Sequence, residues 1–287
     1  MASFPCLFAT DLHGRISRYE KLFALIAMER PRAVFLGGDL LPRGSFYRTE
    51  TQEDDFILKY LAPNFDRLRQ ELGSSYPAIF LIEGNDDPKV CEAELVEGEA
   101  SGLWCYLHQR KASLGKFQLF GYACVPPTPF SLKDWERYDV SRYVDPGCIS
   151  PEEGRRTVAV DPSEVKWSTI ERDLEVLVND EVLDKAIFLM HTPPYDTLLD
   201  RAALDGKQHE HVPLDVHIGS IAVRRFIDKR QPLITLHGHV HESARLTGEW
   251  KIKIGRTICI NGSHGGPELA IIRFDPEFAK EASRELI

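Results

Sequence analysis

The chain has 287 residues, 43% of them apolar, and 44 acidic against 35 basic side chains, for a net charge of −9. That acidity disfavours a general binder of nucleic acid or anionic membrane, and no run of eighteen apolar residues offers a membrane span. An anionic substrate would need a local positive source, such as bound metal.

The N-terminal stretch M-A-S-F-P-C-L-F-A-T-D has no basic region and no long apolar run. A signal peptide is not expected, and a cytoplasmic location is. The six cysteines are scattered without a C-x-x-C pair and read as reduced, mostly core thiols. Short apolar runs follow in order: Cys6–Ala9, Ala33–Leu36, Ala78–Ile82, Phe117–Tyr122, Ala186–Met190 and Leu233–Leu236. Their brevity and bounding turns predict strands buried on both faces. Helices lie between the early ones. Ser17-Arg18-Tyr19-Glu20 fits a capping box, followed by an apolar side of Leu22, Phe23 and Ile26. A second helical stretch runs from Gln52 to Leu72, kinked or broken near Pro63. Asp161-Pro162-Ser163-Glu164 is a helix start, and Ser220 caps a helix carrying Val223, Phe226 and Ile227. The order predicts an α/β sheet with parallel pairing at first. Lys251–Ile260 and Glu268–Phe274 read as hairpin strands joined by N-G-S-H-G-G-P, and residues 123–160 as irregular. No linker or repeat divides the chain, so one domain over residues 1–287 is expected.

Ligands of open α/β sheets gather at the C-terminal ends of strands. The residues just after the runs are Asp11 and His13, Asp39, Asn85, His191, and His239 with His241. A lone D-x-H or histidine carries little weight. Five strand ends finishing in metal-type side chains are hard to ascribe to accident. Seven ligands exceed one zinc and suit two ions sharing a carboxylate, with an activated water between them. Oxygen, imidazole and amide donors without thiolate fit manganese, iron or zinc.

The set D-L-H (11–13), G-D (38–39), G-N-D-D (84–87), H (191) and G-H-V-H (238–241) resembles the calcineurin-like metallophosphoesterase superfamily. Val125-Pro126-Pro127-Thr128-Pro129-Phe130, Lys133-Asp134-Trp135, His191-Thr192-Pro193-Pro194-Tyr195 and His239–Ser243 resemble the prokaryotic Icc-related predicted phosphoesterases. The resemblance implies a four-layer αββα sandwich of two mixed sheets. It implies Asp11, His13 and His241 on one metal, Asp39 bridging, and Asn85, His191 and His239 on the other. It also implies hydrolysis of a small-molecule phosphate mono- or diester by a metal-bridging hydroxide.

One position departs from the pattern. Asp86 stands where the family has a histidine that assists the leaving group, and Asp87 where an acid orients it. Two cations should hold Asp86 ionised, unable to donate a proton. Three readings follow: esters that need no protonation, another donor such as His264, or a metal-binding interaction scaffold with little or no activity. Arg15 is a candidate phosphate contact. Phe130, Trp135 and Tyr138, with Lys133 and Arg137, form either a substrate wall or a packed loop, the latter favoured. His209, His211 and His217 read as loop histidines, His217 the nearest to the site. His237 reads as buried and hydrogen-bonded. The default oligomer is a homodimer.

Overall fold

The computed structural model describes residues 4–43 and 55–287. The early chain alternates β1 (Cys6–Ala9), α1 (Ile16–Glu29), β2 (Ala33–Gly37), α2 (Ala62–Leu72), β3 (Ala78–Ile82), α3 (Glu92–Ala100) and β4 (Cys105–Tyr106). It then moves to β5 (Lys111–Leu114), β6 (Phe117–Tyr122), α4 (Pro162–Trp167), α5 (Ile170–Val178), β7 (Ala186–Met190), α6 (Ile221–Arg230), β8 (Ile234–His237), α7 (Ser243–Thr247), β9 (Lys251–Ile254) and β10 (Thr257–Asn261). β11 (Ala270–Phe274) and β12 (Ser283–Leu286) close it. A two-residue ladder, Gln208–His209 with Val212–Pro213, stands apart.

The described residues form two six-stranded mixed sheets, ordered β12-β11-β1-β2-β3-β4 and β9-β10-β8-β7-β6-β5. The first four strands of the chain pair in parallel, as do β6, β7, β8 and β10. Successive side chains on a strand point to opposite faces. Thus Phe8, Phe35 and Phe80 face the second sheet, while Phe120 and Phe188 stack at 4.7 Å on that sheet's far side, Phe188 meeting Phe226 of α6 at 5.0 Å. Leu7, Val34, Leu36, Ile79 and Leu81 face the other way, toward Leu22, Ile26, Phe65, Leu68 and Leu95 of α1–α3. Ile170, Leu174, Val223 and Ile227 of α5 and α6 cover the far side of the second sheet. Helices, sheet, sheet, helices: this is the expected four-layer mixed α/β architecture.

Three local expectations are corrected. The C-terminal strands are not one hairpin. Lys251–Ile260 is itself a hairpin in the second sheet, while β11 pairs antiparallel with β1 in the first. N-G-S-H-G-G-P therefore crosses between sheets. Gly-rich composition marks a sharp change of direction, and a hairpin and a crossing look alike in it. Second, α1 begins at Ile16 on Arg15, with no side-chain cap, so Ser17 lies inside the helix. Third, Pro63 does not break the second helix. A π-helical turn, Ile57–Leu61, runs directly into α2, so the hydrogen-bond register shifts next to Pro63 and the helix is distorted there but not ended. Residues 52–54 of that stretch lie outside the described residues.

The caps at Asp161 and Ser220 form as read. Residues 123–160 are irregular but well packed. Lys133 and Glu136 are fully buried and paired, Trp135 and Tyr138 are buried, and Phe130 is exposed. The packed-loop reading holds. No helix among the described residues is long and apolar enough to cross a membrane.

Candidate metal centre

The site starts with two loops that run side by side. Beyond β1 and β2 the two segments stay bonded to each other without regular strand geometry. Asp11 N donates to Gly38 O (2.9 Å), His13 N to Asp39 O (2.8 Å) and Gly14 N to Leu40 O (2.9 Å). Asp11, His13 and Asp39 have φ of 56°, 48° and 52°, and His239, on the loop after β8, has 73°. Left-handed backbone is uncommon outside glycine, and tertiary contacts must hold it. Four of the seven predicted ligands sit in it. Strand ends alone would not aim these side chains inward; the left-handed turns do.

The side chains converge. Ligand atoms of Asp11, His13, Asp39 and His241 all lie within 4.8 Å of one another. His241 Nε2 is 3.0 Å from Asp11 Oδ1 and 3.3 Å from His13 Nε2. The two oxygens of Asp39 diverge. Oδ2 lies 3.8 Å from His13 Nε2, and Oδ1 lies 3.4 Å from His191 Nε2. His191 Nδ1 donates to Gly37 O at 2.8 Å, which turns Nε2 toward Asp39. The His191 and His239 rings meet edge to face at 5.3 Å. Asn85 is buried on the loop after β3. The seven predicted ligands thus lie on loops of both sheets: Asp11, His13, Asp39 and Asn85 on the first, His191, His239 and His241 on the second.

Glycines clear the space. A Cβ on Gly84 would sit 2.5 Å from Asp39 N and 2.6 Å from His191 Nε2, and one on Gly38 would sit 2.5 Å from His191 Nδ1.

The electrostatics bind the groups to each other. Burial alone would raise the Asp11 carboxyl, but the imidazoles of His241, His191 and His13 outweigh it and hold it far below the usual range. Asp39 is likewise lowered to about 2, against its burial, by His191 and His13. Burial pulls His191 down, yet Asp39 and Asp11 raise it to about 10. His13 and His239 are lowered by burial, to about 4 and about 3.

Three buried atoms here, His13 Nδ1, Asn85 Oδ1 and His191 Nε2, make no hydrogen bond. Buried polar atoms are ordinarily satisfied, and carboxylate and imidazole ligand atoms gathered within 4.8 Å of one another need a proton or a cation among them. The donor set therefore fits divalent metal.

The remaining candidates scatter. The carboxylate of Asp87, wholly buried, accepts from Leu40 N (3.0 Å), Leu41 N (2.8 Å) and Gly84 N (2.9 Å). It clasps the Asp39 loop to the Asn85 loop and orients no histidine. Asp86 takes Arg43 Nε at 3.1 Å and lies 3.6 Å from His13 Nδ1. Burial and then Asp39 raise the Asp86 carboxyl, with Arg43 opposing, so the lowering read from sequence requires the cations themselves. His264 Nε2 bonds Glu268 at 2.9 Å, a surface pair. Arg15 is exposed and donates to Gly266 O at 3.1 Å. His217 Nδ1 bonds the buried Asp200 at 2.9 Å, away from the predicted ligands. His237 is buried, bonded to Thr192 O (2.8 Å) and Thr235 Oγ1 (2.7 Å), as read.

Sequence reading missed Ser263, whose hydroxyl donates to Asp11 Oδ2 at 2.7 Å from the same motif that drew attention to His264. It also missed the buried Arg18, which donates to the Asp11 and Gly266 carbonyls.

Two mixed sheets between helices, with a candidate metal cluster at the strand ends, match the calcineurin-like fold. The family model for calcineurin-like phosphoesterase matches residues 4–243, and the chain belongs to that family. Among solved structures, one crystal structure aligns at 20% identity and TM-score 0.63, over 99% of each chain. TT1561 of Thermus thermophilus aligns at 16% identity and TM-score 0.57, again over 99% of each. No curated protein matches in sequence.

Proposed function

We propose that this chain, as one domain over residues 1–287, is a dinuclear metal-dependent phosphoesterase acting on a small-molecule phosphate mono- or diester. The observation that carries the reading is Asp39. Its two oxygens part toward His13 and His191, as a carboxylate shared by two ions requires. Asp11, His13 and His241 would hold one ion and Asn85, His191 and His239 the other. Manganese, iron and zinc all suit these donors. Bound there, two such ions supply an activated water and neutralise phosphoryl oxygens.

The protein's own residues set the rest. The backbone ladder and the Asp87 clasp fix the Asp39 carboxylate between the two groups. Gly84 and Gly38 let Asp39 and His191 pack directly against the backbone. With two cations beside it Asp86 would be ionised and would supply no proton to the leaving oxygen, and His264 is paired with Glu268. Esters with good leaving groups are therefore the favoured substrates. The six free thiols support a reducing, cytoplasmic setting.

The test loads the protein with Mn²⁺, Zn²⁺ or Fe²⁺ and compares aryl with alkyl phosphate mono- and diesters. Metal-dependent turnover, abolished by chelator and by Asp39→Ala, is expected. Aryl esters should lead by about 10²–10⁴, the usual worth of general acid catalysis. Two bound metals with no turnover of any ester would replace this reading with the interaction scaffold.

A further inference from the structure

We propose that Asp86 is a positioning residue, whose carboxylate fixes the Asn85 amide so that its oxygen faces the metal position. The inference rests on the metal-centre reading above. A side-chain amide can sit in two orientations half a turn apart, one offering oxygen and the other an NH₂ group that repels a cation. Asn85 Nδ2 donates to Asp86 Oδ1 at 3.3 Å, which selects the first. Asn85 Oδ1 is left buried with no hydrogen bond.

The second oxygen of Asp86 works on the other side. Oδ2 receives Arg43 Nε at 3.1 Å and lies 3.6 Å from His13 Nδ1. One carboxylate thus spans a residue assigned to each ion, and Arg43, its side chain 67% exposed, balances its charge from the rim. Asp86 also donates its backbone N–H to Asp39 Oδ1 at 2.8 Å. That bond survives replacement of the side chain, so a variant isolates the carboxylate. Partners that orient metal ligands typically matter by about 10–100-fold in metal affinity.

The experiment is calorimetric titration of the metal-free full chain with Mn²⁺. It uses wild type, Asp86→Ala, Asp86→Asn, Asn85→Ala and the Asn85→Ala/Asp86→Ala double variant. Asp86→Ala should weaken binding by about 10–100-fold. Asp86→Asn should lose less, because its amide oxygen still accepts from Asn85. In the Asn85→Ala background, removing Asp86 should add little. The Asp86 side chain is 23% exposed, so both replacements should fold, which circular dichroism checks. Wild-type affinity in Asp86→Ala would overturn the assignment. An equal loss with Asn85 already gone would also overturn it, since Asp86 would then act by its charge alone. A wild type that binds none of Mn²⁺, Zn²⁺ and Fe²⁺ refutes the metal-centre reading, and this inference with it; if it takes only Zn²⁺ or Fe²⁺, the same series is read with that ion.

Discussion

Replacing Asp87 with alanine tests whether the metal loops are held by one buried carboxylate. Three backbone N–H groups, of Leu40, Leu41 and Gly84, end on its two oxygens at 2.8–3.0 Å. No part of Asp87 reaches solvent. A buried donor left without a partner costs about 1–3 kcal/mol. Relaxation lets some of the three find water, so about 3–5 kcal/mol of destabilisation is expected rather than the full sum. The carboxyl itself is not cheap to keep: burial, then Asp39, raises it to about 7 despite the three donors. Its ionised form therefore gives back part of what the bonds provide, which places the figure toward the lower end. For a chain of this size, about 3 kcal/mol corresponds to roughly 6 °C in melting temperature. The assay is thermal and urea unfolding in chelator, so that metal contributes nothing to the difference. A variant within about 1 kcal/mol of wild type would refute the reasoning, since a single unsatisfied donor already reaches that figure. Asp87→Asn should recover only part of the loss, because its NH₂ group meets a nest of donors.

Three further outcomes follow from the same structure. Gly84→Ala drives a Cβ against Asp39 N and His191 Nε2, and should cost about 1–3 kcal/mol and weaken Mn²⁺ binding in calorimetry. Lys133→Ala strands Glu136, whose carboxyl burial already raises to about 7, and should destabilise by about 3–5 kcal/mol. The Lys133→Met/Glu136→Gln double variant should melt closer to wild type, because it buries no charge and its amide oxygen still accepts from Thr128 N. His108 is buried, accepts from Ala123 N at 2.9 Å, and has its pKa pushed well below 6.5, first by desolvation and then by Lys89 and Arg137. Below pH 6.5 the unfolded chain binds a proton there that the folded chain refuses, so stability falls as pH drops. Urea unfolding from about pH 8 to about pH 5 should show a steeper loss for wild type than for His108→Gln. Parallel curves would remove His108 from the account.

The strand-end chemistry was legible because strands buried on both faces leave a recognisable signal, and the polar residue that follows each one stands out against it. Asp11, Asp39 and His191 were found that way. What escaped were relations between distant segments. Asp87 looked like a companion to its sequence neighbour, yet its partners are Leu40 and Leu41 on another loop. Ser263 and Arg18 carry no local sign that they will meet at Asp11. The step of the last strands from one sheet to the other is set by pairing β11 with β1, which are far apart in the chain. Residues 123–160 have no periodicity to read, because their order comes from buried contacts such as Lys133 with Glu136.

The left-handed turns at Asp11, His13, Asp39 and His239 bear on how this centre can change. Apart from glycine, that backbone is entered most readily by asparagine, aspartate and histidine, which are also hard-metal and borderline-metal ligands. Exchanges among those types suit the backbone, although at Asp11 and Asp39 they also change the bonds accepted from Ser263 and from the Asp86 N–H. A β-branched or bulky replacement must instead refold the loop. Replacement of one of these residues by valine or isoleucine would therefore be felt first as instability of the loop, whatever the loop holds.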